Sequence, residues 1–143
     1  MIALGTKQKI TVIPNGIDPS QYQANNTQTK NQAIFVGRLI FYKNLDVILD
    51  AFSIVIKKIP DAKLVLVGDG PTKQSLVEKS KSLGIQNNVI FTGRVSHDDK
   101  VKLIGQSQVL LNPSLIEGFG IVVLEAYWIS EIKSNSIANK TIS

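Results

Sequence analysis

The residues best suited to chemistry lie in one stretch near the end of the chain. Glu117 is followed by two glycines, an apolar run and a second acid, in the order Glu117-Gly118-Phe119-Gly120-Ile121-Val122-Val123-Leu124-Glu125. Glycines beside an acid predict a tight turn that delivers exposed backbone N–H groups into the first turn of a helix, and such helix starts bind anions. Glu125 would lie about two helical turns beyond Glu117, so each acid needs its own partner.

The alternative interpretation of these two acids is structural. Glu117 would then cap the helix and Glu125 would be a solvated side chain, which is the commoner case for an isolated pair of glutamates. The rest of the chain decides between the two interpretations, because a binding site needs further groups that converge on the same place.

Two cations follow the first strongly apolar segment of the chain, at 33–36. Arg38 and Lys43 lie between that predicted strand and a helix predicted to begin near Asn44. Solvated surface cations are the ordinary alternative, but positive charge at a helix start opposes the helix dipole and needs a compensating anion. Arginine can bind a diphosphate as a fork and lysine as a point charge. The pair therefore favours a site for a phosphorylated ligand.

Apolar segments that end at turn residues alternate with helical segments along the rest of the chain. The predicted strands are 33–36, 63–67, 88–92 and 109–111. Helices are predicted to begin near Asn44 as an N-cap, to end before Gly84, and to begin at Ser96, which has capping-box spacing to Asp99. This alternation predicts an α/β fold with a Rossmann-like, doubly wound parallel sheet.

The loops that follow these strands carry the unusual residues of the chain. They are Gly37-Arg38, Gly68-Asp69-Gly70-Pro71, Gly93-Arg94 and the turn at 117–120. In sheets of this kind ligands bind beyond the carboxyl ends of the strands. We therefore expect the acids and the cations to converge on that edge.

Composition limits the classes of protein to which the chain can belong. Its 143 residues suffice for one domain, and 43% hydrophobic with 19% charged residues is an ordinary globular composition. No apolar run approaches a membrane span, and the lack of cysteine excludes disulfides and Cys-ligated metal, so we predict a cytoplasmic protein. The net charge of +5 permits peripheral contact with an anionic membrane, but scattered lysines and 6% aromatic residues argue against a nucleic-acid partner.

Other catalytic and nucleotide-binding motifs fit poorly. The segment Gly68-Asp69-Gly70-Pro71 only superficially resembles a dinucleotide fingerprint, because Lys73 occupies the position of the third glycine, and its expected role is a turn. The single histidine, His97, is predicted to lie at the surface near a helix start. A two-carboxylate glycosidase built from Glu117 and Glu125 would leave Arg38 and Lys43 without a role.

Five motifs follow one another in the order found in a known family. They are Val12-Ile13-Pro14-Asn15-Gly16-Ile17-Asp18, Phe35-Val36-Gly37-Arg38-Leu39 with Lys43-Asn44, Leu66-Val67-Gly68-Asp69-Gly70-Pro71, Val89-Ile90-Phe91-Thr92-Gly93 and the 117–125 segment. Over roughly residues 9 to 126, the chain resembles the C-terminal, donor-binding half of a group 1, or family 4, glycosyltransferase with the two-domain GT-B fold. Such an enzyme transfers a hexosyl group from a nucleoside-diphosphate sugar to a glycan, lipid or other acceptor.

The resemblance implies catalytic roles for three residues. Arg38 and Lys43, beside Gly37, would hold the donor diphosphate and neutralise it as it leaves. Glu117 would lie near the transferred sugar. The family retains anomeric configuration by attack of the acceptor on the face that the diphosphate leaves, so Glu117 is not assigned as a nucleophile. The resemblance implies no metal and no cofactor, because the cations and the helix terminus do the electrostatic work.

The resemblance also implies contacts to the nucleoside. Glu125 would accept hydrogen bonds from the ribose hydroxyls, and the main chain at Val95 would meet the base. The backbone N–H groups of the turn would meet the sugar and the phosphates, and the residues concerned are Gly118, Phe119, Gly120, Ile121 and Val122.

The chain departs from the family pattern after Ala126. The family continues there through a Gly-x-Pro segment into a further strand and closing helices, whereas residues 127–143 contain neither glycine nor proline. We therefore predict a nucleotide-sugar-binding domain at 1–126, with its core from about 33, and an atypical tail at 127–143 in a fold truncated at its C terminus. An apolar patch left by the missing strand would favour self-association.

From the resemblance, we expect the N-terminal acceptor domain of the family to be missing from the chain. Since catalysis in this family occurs in the cleft between the two domains, we predict that the chain binds the donor but transfers nothing alone. The alternative is a non-catalytic nucleotide-binding or interaction module derived from the same fold.

Overall fold

The computed structural model describes residues 11–13, 15–22, 29 and 31–140, and for 131–140 it describes the backbone alone. The parts of the sequence-based expectations that fall on residues 1–10, 14, 23–28, 30 and 141–143 lie outside the described residues.

Four parallel strands form the central sheet. They are β1 (Gln32–Val36), β2 (Lys63–Val67), β3 (Val89–Gly93) and β4 (Val109–Leu110), in the spatial order β3-β2-β1-β4. In register, Phe35 lies opposite Leu66, and Leu66 lies opposite Phe91. Continuous apolar runs form these strands because both faces of the sheet are covered. The predicted parallel sheet is confirmed.

Four helices cover the sheet. They are α1 (Leu45–Lys58), α2 (Lys73–Ser82), α3 (His97–Gln106) and α4 (Ile121–Lys140), with short 3-10 turns at Pro19–Gln21 and Phe41–Lys43. The first three agree closely with the sequence-based bounds. Helix α4 runs through residue 126 without a break, and the division of the chain at that residue stays a prediction.

Two apolar layers lie on opposite faces of the sheet. Leu64 and Leu66 of β2 pack on the α1 and α2 side with Leu49. The alternate residues of the same strand, Val65 and Val67, pack on the α3 and α4 side with Ile34, Val101, Ile104 and Ile129. Since side chains alternate along a strand, one strand serves both layers, as a doubly wound sheet requires.

The predicted helix caps have different outcomes. Gly84 ends α2 in the left-handed conformation (φ +70°), and Ser96 Oγ accepts from the Asp99 backbone N–H at 3.1 Å, so both predictions are confirmed. Asn44 precedes α1 but caps nothing with its side chain, because its backbone is left-handed (φ 55°) rather than extended. Its N–H instead closes the preceding 3-10 turn on the carbonyl of Phe41. Asn44 therefore stands at the predicted N-cap position of α1, but the side-chain cap expected of it is not formed.

The loops after β1 and β2 meet backbone against backbone. Gly68 adopts a φ of +131°, and a Cβ there would overlap the carbonyl oxygen of Gly37. A Cβ at Gly70 would overlap the carbonyl oxygen of Leu39. The Leu39 N–H donates to the Asp69 carbonyl at 3.0 Å, which joins the two loops directly. Glycine is required here for close approach, so the predicted turn is confirmed.

Strand β4 is a short edge strand beside an apolar groove of about 600 Å³. Phe52 and Val55 of α1 line it with Val109 and Leu111, and its lining side chains carry no charge. Whether copies of the chain associate through this surface stays a prediction. Within the described part of the chain, no helix is long and apolar enough to cross a membrane.

Candidate functional site

The carboxyl ends of the strands bring the predicted cations and glycines to one edge. A cleft of about 360 Å³ lies there between the ends of β1, β2 and β3. Gly37, Arg38 and Val95, all expected to bind a ligand, line this cleft. Arg94 lines it too, so both arginines of the chain lie at the same cleft. The loops after β1, β2 and β3 converge on this cleft as predicted, whereas the turn at 117–120 is not among the residues that line it.

Arg38 is exposed at the mouth of this cleft. Among the described residues, neither Arg38 nor Arg94 has an acidic partner within 4.0 Å. A guanidinium has five N–H donors and keeps its charge throughout the physiological pH range. Two such groups without carboxylate partners form an edge that suits an anionic ligand.

Lys43 and Glu117 form an ion pair at this edge. Lys43 Nζ donates to Glu117 Oε2 at 2.7 Å, and the side chains are 15% and 34% exposed. Asn112 Nδ2 lies 3.5 Å from the same oxygen. The hydrogen bond from Lys43 lowers the pKa of Glu117, while partial burial opposes the shift. Since Glu117 pairs with Lys43 and with none of the described N–H groups of α4, the helix-cap alternative is not what the structure shows.

The start of α4 presents the predicted turn. Gly120 has a φ of +67°, and the Cγ of Glu117 would lie 3.4 Å from a Cβ at that position. The first N–H with a partner is that of Val123, which donates to the Gly120 carbonyl at 2.9 Å. No described group accepts from the N–H groups of Phe119, Gly120, Ile121 or Val122. These unpaired donors at the positive end of a 20-residue helix can bind an anion beside Lys43.

Glu125 is buried, at 4% exposure, so the alternative of a solvated side chain is wrong. Its Oε1 accepts from Lys100 Nζ at 2.7 Å and from the Tyr22 hydroxyl at 2.9 Å. Burial, followed by the bond to Glu125, raises the pKa of Tyr22 to about 12. A carboxylate inside the protein needs such partners because losing its hydration is costly. Here α3 supplies Lys100, and the segment before β1 supplies Tyr22.

The structure therefore divides the predicted site into two neighbouring groups. Lys43, Glu117 and the start of α4 form the first group. Arg38, Val95 and Lys100 line the cleft and form the second group. Glu125 is linked to this group by its ion pair with Lys100. The six-residue segment from Arg38 to Lys43 joins the two groups.

Neither Lys100 nor Tyr22 was predicted from the sequence as a site residue. Lys100 has one usable signal, since it lies four residues before the buried Ile104 on one face of α3. A lysine on the buried face of a predicted helix requires an acidic partner. Tyr22 lies 103 positions from Glu125 and carries no comparable signal. His97 is exposed, as predicted, and its Nε2 lies 3.2 Å from the Gln21 carbonyl oxygen.

Comparison with known proteins identifies the class. The family model for glycosyl transferases group 1 matches residues 18–129. An uncharacterized glycosyltransferase of Methanocaldococcus jannaschii is 31% identical over 134 residues, which cover 84% of this chain and 34% of that protein. The chain belongs to the group 1 glycosyltransferases.

Two solved structures share the fold. The C-terminal domain of a group 1 glycosyltransferase, LpcC from Francisella tularensis, superposes with a TM-score of 0.69 and 24% identity, covering 78% of this chain and 65% of that one. The pneumococcal O-GlcNAc transferase GtfA, solved with UDP and GlcNAc, superposes with a TM-score of 0.74 and 23% identity. The match covers 87% of this chain and 24% of that one. The predicted GT-B fold class is confirmed. The chain spans about a quarter to a third of the curated relatives it matches.

Proposed function

We propose that this chain is the donor-binding domain of a retaining glycosyltransferase that uses a nucleoside-diphosphate sugar. The observation that carries the proposal is the placement of Lys43, through its ion pair with Glu117, beside the unpaired N–H groups at the start of α4, with Arg38 at the neighbouring cleft. A diphosphate carries charge at several oxygens and needs such a set of fixed donors. The UDP in the GtfA complex belongs to that protein, and it supports a nucleotide donor here through the shared family and fold.

The two cations would act on the leaving diphosphate. Arg38 has no described carboxylate partner and is free to bind it. Lys43 is held in place by Glu117 and has further N–H donors for a phosphate. Each charge-assisted hydrogen bond is worth about 1.5 to 3 kcal/mol, and preorganised charge of this kind stabilises a transition state in which the diphosphate departs. No step in this account requires a metal ion or a cofactor.

The remaining residues would bind the sugar and the nucleoside. Glu117 would lie near the transferred hexose, and Glu125 would accept from the ribose hydroxyls. The main chain at Val95 would contact the base. Retention follows if the acceptor attacks on the face that the diphosphate leaves, so Glu117 forms no covalent bond to the sugar.

The acceptor site would belong to a second domain. The chain matches only part of the length of its relatives, and no acceptor site is assigned to its described residues. We therefore propose a glycan, a lipid or another hydroxyl compound as acceptor, a cytoplasmic location and peripheral membrane contact. The isolated chain should bind nucleotide and transfer no sugar. Transfer by the purified chain alone would contradict this part of the proposal.

Calorimetric titration with UDP, GDP and ADP tests donor binding. One of the three should bind, and Arg38→Ala should weaken it by about ten- to a hundredfold, as expected for one charged hydrogen bond. Lys58→Ala is the matched control, because it removes the same charge from the exposed last turn of α1, outside the cleft. Absence of binding by the folded chain, or equal losses in both variants, would contradict the proposal.

A further inference from the structure

Lys100 has no role in the proposed donor chemistry, yet it forms an ion pair with Glu125, the buried acid of the candidate site. The Lys100 and Glu125 side chains are 23% and 5% exposed, and Nζ lies 2.7 Å from Oε1. Among the four ion pairs between described residues, this one has the least exposed carboxylate. Removing one partner of such a pair leaves a buried charge uncompensated, so Glu125 depends on Lys100 as its charged partner.

Both partners of Glu125 bind the same oxygen. Lys100 Nζ and the Tyr22 hydroxyl donate to Oε1, at 2.7 Å and 2.9 Å. A carboxylate has a second oxygen with its own lone pairs, and none of the described residues donates to Oε2. The carboxylate is therefore fixed by one oxygen, and the lone pairs of the other have no donor among the described residues.

Lys100 also lines the cleft that Arg38 and Val95 line. Asp69 lies in the same cleft, but its Oδ1 accepts from the Gly70 N–H, and the nearest described cation to it is Lys73 at 4.0 Å. The cationic partner of Glu125 thus faces the cleft, and α3 fixes its position relative to the ends of β1 and β3.

We propose that Lys100 is a positioning residue that makes the site select ribose over deoxyribose. Lys100 fixes the orientation of the Glu125 carboxylate, so that Oε2 accepts from the 2′-hydroxyl of a nucleoside diphosphate. The inference rests on the proposed function, and it assigns to Lys100 an effect that acts through Glu125. A lysine that bound phosphate directly would strengthen the binding of ribose and deoxyribose nucleotides equally.

The test is a titration of UDP, GDP and ADP, each against its 2′-deoxy form. For the nucleotide that binds, the full chain should favour the ribose form by about tenfold, the value of one hydrogen bond to a charged group. Lys100→Met keeps the aliphatic stem and removes the charge. It should bring the ratio of the ribose to the deoxyribose affinity close to one. Lys100→Arg should restore most of the ratio. Lys102→Met, on the exposed side of the same helix, should leave the ratio unchanged.

The outcomes separate this inference from the function on which it rests. If the wild-type chain binds no nucleotide, the proposed function fails and the inference fails with it. If it binds but shows no ribose preference, or if Lys100→Met lowers both affinities by one factor, only the inference is overturned. Should Lys100→Met fail to fold, Tyr22→Phe removes the other bond to Oε1 without changing charge. This variant should also lower the ratio, and an unchanged ratio would contradict the inference.

Discussion

Lys43 Nζ lies 2.7 Å from Glu117 Oε2, although the two residues are 74 positions apart in the sequence. The pair joins the loop after β1 to the loop before α4. A second contact between the same loops, from the Leu115 N–H to the Tyr42 carbonyl at 2.9 Å, holds them at this distance. The cation and the helix start are therefore placed beside each other before any ligand binds, which is the preorganisation that electrostatic catalysis requires.

This ion pair predicts a dependence of stability on pH. Because Lys43 lowers the pKa of Glu117 below its ordinary 4.5, the carboxylate stabilises the fold above that pH. The contribution is lost as the pH falls through the lowered pKa. Glu117→Gln should thus cost up to about 1 kcal/mol at pH 7, the value for a partly exposed pair, and less at pH 3.5.

Urea unfolding of wild type and Glu117→Gln at both pH values measures this difference. Glu78→Gln is the control, since it removes the same charge from the exposed surface of α2. A cost for Glu117→Gln that grows as the pH falls would show that the ion pair does not act in this way.

The close approach at Gly68 predicts a sensitive backbone position. Gly68→Ala should destabilise the fold by about 2 to 3 kcal/mol, because the new Cβ would overlap the Gly37 carbonyl at a φ of +131°. Gly16→Ala is the matched control, since a Cβ there has nothing within 4 Å. Urea unfolding of both variants gives the comparison. Equal stability of the two variants would mean that the loops do not meet as described.

The raised pKa of Tyr22 predicts a loss of stability at alkaline pH. Its pKa is raised from 10.0 to about 12, so the protonated phenol stabilises the fold below pH 10. This contribution is lost as the pH rises from 10 through 12. The stability difference between wild type and Tyr22→Phe should therefore be larger at pH 8 than at pH 11.5. Tyr127→Phe, which removes an exposed phenol, serves as control. A difference that increases with pH would contradict the assigned burial and hydrogen bond.

The sheet and the positions of Arg38, Lys43 and Glu117 could be predicted from the sequence. Buried parallel strands are continuous apolar runs, and the residue after each run must lie at the carboxyl edge. Spacing alone therefore brings residues of distant loops to one edge. It does not give their pairing, and the bond between Lys43 and Glu117 appears only in the structure.

Three other features could not be predicted from local sequence. The left-handed backbone of Asn44 ends a 3-10 turn, which the hydrophobic periodicity of the sequence does not predict. The burial of Glu125 depends on how α3 packs against α4, and its partners lie 25 and 103 positions away. The helical course of 127–140 fits the absence of glycine and proline there, although its sequence has no clear amphipathic period.

The most direct test of the account is an NMR titration of the isotope-labelled chain with UDP, GDP and ADP. The account predicts that one nucleotide shifts the amide signals of Phe119, Ile121, Val122 and Val95, and that Arg38→Ala weakens this response. The amides of Val47 and Ala51, which line the apolar groove at the far side of α1, should stay unchanged. Shifts confined to that groove, or no shifts with any nucleotide, would contradict the claim that the carboxyl edge is a donor site.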